Sequence, residues 1–236
     1  MLIPNGYGED YVPILKELSV IFKGIYKRPH KFRKFQPYSN EYTWAINELT
    51  RILGDVKGKE MMEGGGGQGG TLYYFGNKNA NVTNLSHGGA APGKNVKHIA
   101  GDMAVRNLGS NKFDSVLCLS SIEHNPWAKI KKIFLNLVDM AKPGAPLVFT
   151  VPAGKIRKWY PDNTFNGVGI KFPSLYLFNQ EAVEELNSLT NRVELITKMP
   201  KNYNQLYNIM MKELRTTPNA VNHGYLSGGF TFMKKK

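Results

Sequence analysis

One cysteine, Cys118, stands in the 236 residues, so no internal disulfide can form, and nothing resembles the clustered thiols and imidazoles of a zinc site. That cysteine usage suits a reducing cytosol. The chain also lacks any apolar run near the roughly 18 residues that a bilayer span needs, which argues against stable membrane insertion. Its first residues, MLIPNGYGEDYVP, carry acids and proline where a secretory leader needs a basic start and a continuous apolar stretch. Export is not indicated, and a soluble, cytoplasmic protein is expected. No period of about 20 to 50 residues repeats, which excludes a solenoid or a propeller. Acidic residues are outnumbered: 31 Lys and Arg against 18 Asp and Glu leave a net charge of +13. Such a surplus favours polyanions or acidic surfaces as partners, and serves plain solubility as well.

What is present is an ordinary globular composition, 42% hydrophobic and 21% charged, in a chain long enough to bury a core without metals or disulfides. Periodicity predicts a helix over Glu41 to Leu53, with Tyr42, Ala45, Ile46, Leu49 and Leu53 on one face and Gly54 as its stop. Short apolar strands are predicted at Glu60 to Glu63, Asn81 to Leu85, Val96 to Ala100, Ser115 to Leu119 and Pro146 to Val151. A helix over Lys129 to Met140 carries Ile130, Ile133, Phe134, Leu137 and Val138 on one face and ends at Lys142-Pro143-Gly144. Further on, a helix is read at Gln180 to Leu189, a strand at Val193 to Lys198, a helix at Tyr203 to Leu214 and a last strand at Gly229 to Met233. Lys234 to Lys236 reads as a solvated tail. Strands alternating with helices predict an α/β fold with a parallel sheet.

The strongest local feature is Glu63-Gly64-Gly65-Gly66-Gly67-Gln68-Gly69-Gly70, directly after a strand and before a helix start. Glycine admits positive φ and leaves no Cβ to obstruct a ligand lying against the backbone. A flexible linker is the plain alternative, but linkers rarely interrupt a continuous α/β pattern between a strand and its helix. The turn fits two cofactor classes. Gly65, Gly67 and Gly70 satisfy the dinucleotide pattern G-x-G-x-x-G, and Glu63, Gly65, Gly67 and Gly69 satisfy E-x-G-x-G-x-G.

From Glu60 to Pro152 the sequence resembles the class I S-adenosylmethionine-dependent methyltransferases, methyltransferase type 11-like. The glycine turn resembles that family's first motif, Gly101-Asp102-Met103 its position after the third strand, and Phe113 to His124 its fourth strand and following turn. Lys142-Pro143-Gly144 before a fifth strand completes the series. The resemblance implies a Rossmann-like, mostly parallel seven-stranded sheet flanked by helices, with the last strand antiparallel. It also implies S-adenosylmethionine as cofactor, held by Glu63, Gly65, Gly67, Gly69, Ser86, Asp102, Met103, Ser120 and Ser121, with Asp102 accepting from the adenine amino group. One position departs from the family. Where an acidic residue normally grips both ribose hydroxyls, Ser86 stands, and a serine makes one hydrogen bond where a carboxylate makes a pair. The dinucleotide reading suffers from the same absence.

Methyl transfer needs an acceptor aligned behind a carbon–sulfur bond and, for a hydroxyl or amine, a base to remove its proton. His124 is the candidate base at the rim of the pocket; the alternative is a capping or packing histidine before Pro126. The stretch near 153–176 is long for a connection and reads as a substrate wall, with Trp159 and Tyr160 beside Lys155, Arg157 and Lys158 suited to a planar or anionic acceptor. Residues 1–54 read as a helical extension or lid on a domain at 55–236. The basic, aromatic segment from Lys23 to Lys34 reads first as cover for the site and second as a nucleic-acid contact. Three functions follow: methylation of a small molecule, sugar or lipid-like metabolite at O or N, methylation of RNA or a nucleotide, or non-catalytic binding on the same scaffold. Charge favours the second, and Ser86 with the over-flexible Gly64 to Gly67 run favours the third. No metal is expected, and oligomeric state is not legible.

Overall fold

The computed structural model describes residues 36–67, 69–88, 93–161, 174–197 and 226–236, with short stretches between 13 and 20, 166 and 171, and 204 and 212. In chain order the elements are α1 (Gln36–Leu53), β1 (Glu60–Gly64), α2 (Gly70–Asn77), β2 (Asn81–Ser86), β3 (Val96–Ala100) and β4 (Ser115–Leu119). A 3-10 turn (Ile122–His124), α3 (Trp127–Met140) and β5 (Pro146–Ala153) follow. Then come β6 (Lys158–Tyr160), β7 (Asn166–Gly167), β8 (Ile170–Lys171), β9 (Leu175–Leu177), α4 (Gln180–Ser188), β10 (Val193–Leu195) and β11 (Leu226–Lys234).

Seven strands form one sheet in the order β3-β2-β1-β4-β5-β11-β10. Strands β1 to β5 run parallel, and β11 is antiparallel to both β5 and β10. The mostly parallel seven-stranded sheet with an antiparallel last strand is therefore as expected. The central strands β4 and β5 are buried at every position, as strands with both faces covered must be, and this explains their continuous apolar runs SVLCL and PLVFTVPA. Alternation along β4 divides the core between the two faces. Val116 and Cys118 pack with Ile130, Phe134 and Leu137 of α3, together with Ala182 and Val183 of α4. Leu117 and Leu119 pack on the other face with Trp44, Ile46 and Leu49 of α1 and Leu72 and Phe75 of α2. No helix among the described residues is long and apolar enough to cross a membrane.

Several expectations change, among them the strand expected at Val193 to Lys198, which ends at Leu195. The helix expected from Glu41 begins at Gln36, which moves Glu41 from a terminus into the helix body, 1% exposed. The last strand extends over Leu226–Lys234, and its final residue is no solvated tail: Lys234 is 6% exposed. Its ammonium donates to Asn111 Oδ1 and Ala141 O, each at 2.7 Å, and to Asp139 O at 3.2 Å. A cation there meets the exposed carbonyls at the end of α3, where the helix dipole favours positive charge. The expected loop near 153–176 contains two short antiparallel ladders, β6 with β9 and β7 with β8. The segment Lys23 to Lys34 lies outside the described residues, as do Gln68, Phe165, Phe172 and most of Tyr203 to Leu214.

The sheet order places β1 beside both β2 and β4, so the chain leaves β1 toward one side and returns through β4 on the other. In open α/β sheets, ligands bind in the crevice at the carboxyl ends of the strands at such a switch point.

Candidate functional site

At that switch point lies a cleft of about 350 Å³, within the range of small-molecule sites. Its lining includes Gly65, Gly67, Ser86, His87, Asp102, Met103, Ser121, His124, Asn125 and Lys129. Sequence positions 65 to 129 are thus brought together by the ends of β1, β2, β3 and β4 and the start of α3.

The glycine turn forms one wall. Gly65 has φ +73°, and a Cβ there would overlap Ser121 Oγ, so the turn packs directly on the second residue after β4 and admits only glycine. Glu63 lies beneath the turn, 1% exposed, and does not line the cleft. Thr71 Oγ1, in the first turn of α2, donates to its Oε2 at 2.5 Å. A Cβ on Gly69 would stand 3.2 Å from Glu63 Oε1, so the turn closes tightly over this carboxylate. Burial pushes the Glu63 carboxyl up to about 7, against the opposing pull of the Thr71 hydroxyl. Asn84, paired with Glu63 across the β1–β2 ladder, donates through Nδ2 to Gly67 O at 3.1 Å and fixes the far side of the turn.

On the β2 and β3 side, Ser86 lines the cleft and its Oγ donates to Gly88 O at 2.6 Å, so the hydroxyl oxygen keeps its lone pairs as acceptors. Asp102 follows β3. Its Oδ1 accepts from Ala104 N–H at 2.8 Å and its Oδ2 from Lys129 Nζ at 2.7 Å. The lysine bond, with the Ala104 amide, holds the Asp102 carboxyl below the usual range. Asp102 is therefore an anchored, ionised acceptor in the cleft wall. Met103, 8% exposed, completes this side.

The two serines after β4 part company. Ser121 lines the cleft, whereas Ser120 does not. Ser120 adopts φ +44°, rare for a residue with a side chain, and its hydroxyl donates to Glu41 Oε2 in α1. Glu41 Oε2 also accepts from Thr150 Oγ1 at 3.0 Å, and Oε1 accepts from Ser227 Oγ at 2.5 Å. Burial raises the Glu41 carboxyl while the three hydroxyls oppose the shift.

His124 ends the 3-10 turn at the cleft rim. Its Nδ1 lies 2.7 Å from Ser174 O, and Ser174 Oγ donates back to His124 O at 3.0 Å. A carbonyl can only accept, so the neutral ring carries its proton on Nδ1 and presents Nε2 as an acceptor. Glu123, 1% exposed, approaches Nε2 with Oε1 at 3.9 Å, and burial pushes its carboxyl well up.

The two aromatics of the expected substrate wall do not line the cleft. As neighbours on β6 they point to opposite faces of a small flap. Trp159 lies over Tyr176, which stacks on Trp127 at 5.2 Å, and Arg157 covers the other part of this group 5.0 Å from the Trp127 ring. Tyr160 packs with Leu175 and Leu177. The flap meets the cleft through Ser174, the residue before β9. Sequence reasoning missed Ser174, Glu41, Lys129, His87 and Asn125, all polar residues whose relevance depends on contacts across the fold. Among the described residues no group of His, Cys, Asp or Glu is placed to hold a metal ion.

No family model and no curated protein sequence matches the chain. Among solved structures it is similar to 1,6-didemethyltoxoflavin-N1-methyltransferase of Burkholderia thailandensis, which holds 1,6-didemethyltoxoflavin and S-adenosylhomocysteine. The TM-score is 0.62 at 12% identity, over 100% of this chain and 94% of that one. It is also similar to magnesium protoporphyrin IX methyltransferase of Synechocystis PCC 6803 with bound S-adenosylmethionine, with TM-score 0.56 and 13% identity over 98% and 99% of the two chains. An S-adenosylmethionine-dependent methyltransferase from Mesorhizobium loti has TM-score 0.55 and 12% identity, over 84% of this chain and 100% of that one. At such identities the likeness is one of fold.

Proposed function

We propose, from the class I S-adenosylmethionine-dependent methyltransferase fold that this chain has, that the protein is itself a methyltransferase using S-adenosylmethionine on an O or N atom of a small molecule. The cleft fits the cofactor in kind. The turn at Gly65 leaves backbone open to a ligand, Ser86 and Asp102 offer acceptors suited to hydroxyls and an exocyclic amine, and Met103 offers an apolar wall. Gly65, Gly67, Ser86, Asp102, Met103 and Ser121 would hold it, with Glu63 and Gly69 shaping the turn from below. When bound, S-adenosylmethionine supplies a methyl group already made electrophilic by its sulfonium.

The observation that carries the catalytic reading is the His124 ring: it lines the cleft that the glycine turn and Asp102 share, with Nδ1 tied to Ser174 O and Nε2, 3.9 Å from Glu123 Oε1, left as the acceptor. Nε2 would take the proton of an acceptor hydroxyl or amine, while the bound cofactor would supply the methyl group and leave as S-adenosylhomocysteine with its carbon–sulfur bond broken. Ser174 keeps the ring in the tautomer this requires. The glycine turn and Ser121 fix the donor side, so the chain's contribution is alignment together with one proton transfer. A small-molecule acceptor gains support from the Burkholderia enzyme, which holds an organic heterocycle beside S-adenosylhomocysteine in the same fold. Trp159 and Tyr160 face opposite sides of the flap, so one of the two at most contacts an acceptor.

The test is transfer of labelled methyl from S-adenosylmethionine to a panel of small hydroxyl and amine acceptors, read as labelled product and released S-adenosylhomocysteine. Labelled product that disappears in His124→Ala supports the proposal. Cofactor binding without transfer to any acceptor favours the non-catalytic reading, and NADH binding in place of the adenosyl compounds removes the methyltransferase reading.

A further inference from the structure

Among the described residues four with a side chain stand at positive φ, and three of them, Asn79, Asn95 and Asn111, are asparagines; the fourth is Ser120. A residue with a Cβ stands there at φ +44°, where the left-handed conformation costs an L-amino acid appreciably more than glycine. Strain of this kind persists only where the surroundings hold it. The Ser120 amide donates to Thr150 O at 3.0 Å and lies 3.1 Å from Thr150 Oγ1. Its hydroxyl donates to Glu41. Glu41 is fully enclosed and gathers the hydroxyls of Ser120, Thr150 and Ser227, one from the end of β4, one from β5 and one from the start of β11. A helix preceding the sheet thus ties three strands together at their common edge.

The strained residue is followed by the two that matter most to the cleft. Ser121 packs on Gly65 so closely that no other residue than glycine fits there. His124 N–H donates to Ser121 O at 3.3 Å, closing the 3-10 turn that carries the imidazole. If Ser120 relaxed to negative φ, the chain direction at Ser121 would change, and with it the packing on Gly65 and the approach of His124 to Ser174.

We infer that Glu41 is a positioning residue: through Ser120 it holds the left-handed turn that sets Ser121 against the glycine turn and His124 at the cleft rim. Glu41 touches neither cofactor nor acceptor in this account. What the cleft binds rests on the methyltransferase reading; the geometry of the clamp does not.

The substitutions Ser120→Ala and Ser120→Gly separate the clamp from simple packing. Both remove the hydroxyl that Glu41 holds, but only alanine keeps a Cβ that resists positive φ. Each variant is made in the full chain and followed by titration with S-adenosylhomocysteine and by nitrogen-15 NMR of the His124 ring. Ser120→Ala is expected to weaken binding roughly tenfold and to replace the Nδ1–H signature of His124 by an averaged one. Ser120→Gly is expected to lose several-fold less in affinity and to keep the signature. Glu41→Ala should follow Ser120→Ala in both readouts, and if it does not fold the serine pair decides. Equal behaviour of the two serine variants, or a Ser120→Ala chain that matches the wild type in both readouts, overturns the inference. A wild-type chain that does not bind S-adenosylhomocysteine removes the cofactor reading instead, and the NMR signature still decides the clamp.

Discussion

Ser86 and Asp102, on one side of the cleft, find backbone partners two residues away, at Gly88 and Ala104, and Glu63 meets Thr71 eight residues on; the ion pair of Asp102 with Lys129 is the longer reach on this side. Ser120 and His124, on the other side, are held by partners 79 and 50 residues distant, and the carboxylate that holds Ser120 reaches 186 residues along the chain to Ser227. The first side is a set of local turns at strand ends, each nearly complete in its own stretch of sequence. The second exists only after α1, β4, β5, β9 and β11 have come together. Cofactor recognition can therefore be assembled from short motifs, whereas the group that would act on the acceptor depends on the whole fold.

This contrast is broken most sharply by His124→Ala. If the second side does the chemistry, turnover falls by about 10²- to 10⁴-fold, while S-adenosylhomocysteine affinity stays within about threefold of the wild type. Steady-state kinetics with the accepted substrate, together with calorimetry, give both values. A parallel loss of affinity would mean that the two sides are one unit.

Gly65→Ala is the counterpart on the first side. The added Cβ meets Ser121 Oγ and the backbone is left-handed, so a stability loss of about 2 to 4 kcal/mol is expected in chemical denaturation, with cofactor binding weakened even where the chain remains folded. Because Gly65 packs on Ser121, a change at this position on the first side reaches the second.

The pH dependence of stability isolates Glu63. Its carboxyl is raised by burial from 4.5 to about 7, so the folded state binds the proton more tightly than the unfolded chain does. The resulting stabilisation is fully present below about pH 4.5 and is lost as pH rises through about 7, an effect on the order of 3 kcal/mol for a fully enclosed group. Stability of the ligand-free chain should fall between about pH 5 and pH 8, and Glu63→Gln should reduce that slope. Glu41 and Glu123, also raised by burial, keep the remaining slope of the same sign. An unchanged slope in Glu63→Gln would place the carboxylate outside the buried turn.

The smallest expected effect is at Lys129. Lys129→Met frees Asp102 from its ion pair and lets that carboxyl rise toward its ordinary range. Both groups are partly exposed, so a change of about threefold in S-adenosylhomocysteine affinity is expected by calorimetry.

Legibility in the sequence followed the same division. The bounds of β3 and β4 are legible because their apolar runs are set off by turn residues, whereas periodicity locates α3 and α4 but misses the start of α3 at Trp127 by two residues and the end of α4 at Ser188 by one. The glycine turn, Asp102 and Met103 are legible at strand ends, and Gly65, Gly67, Asp102 and Met103 line the cleft, whereas Glu63 and Gly69 do not. Ser120 and Ser121 were indistinguishable as neighbouring hydroxyls, since only a backbone angle separates the residue facing Glu41 from the residue facing the ligand. Trp159 and Tyr160 looked like one wall because the stretch was read as a loop; once it is a strand, alternation divides them. Lys234 looked like a tail because nothing in its own neighbourhood reveals the carbonyls at the end of α3. Glu41 reads as a helix-start acid until three hydroxyls from three strands surround it.

The cofactor site is settled by calorimetric titration of the purified chain with S-adenosylhomocysteine, with NADH as control and Asp102→Ala as the site variant. Binding of the adenosyl compound, no binding of NADH, and at least about tenfold weaker affinity in Asp102→Ala are expected. Absence of adenosyl binding, or equal affinity in the variant, would contradict the cofactor reading.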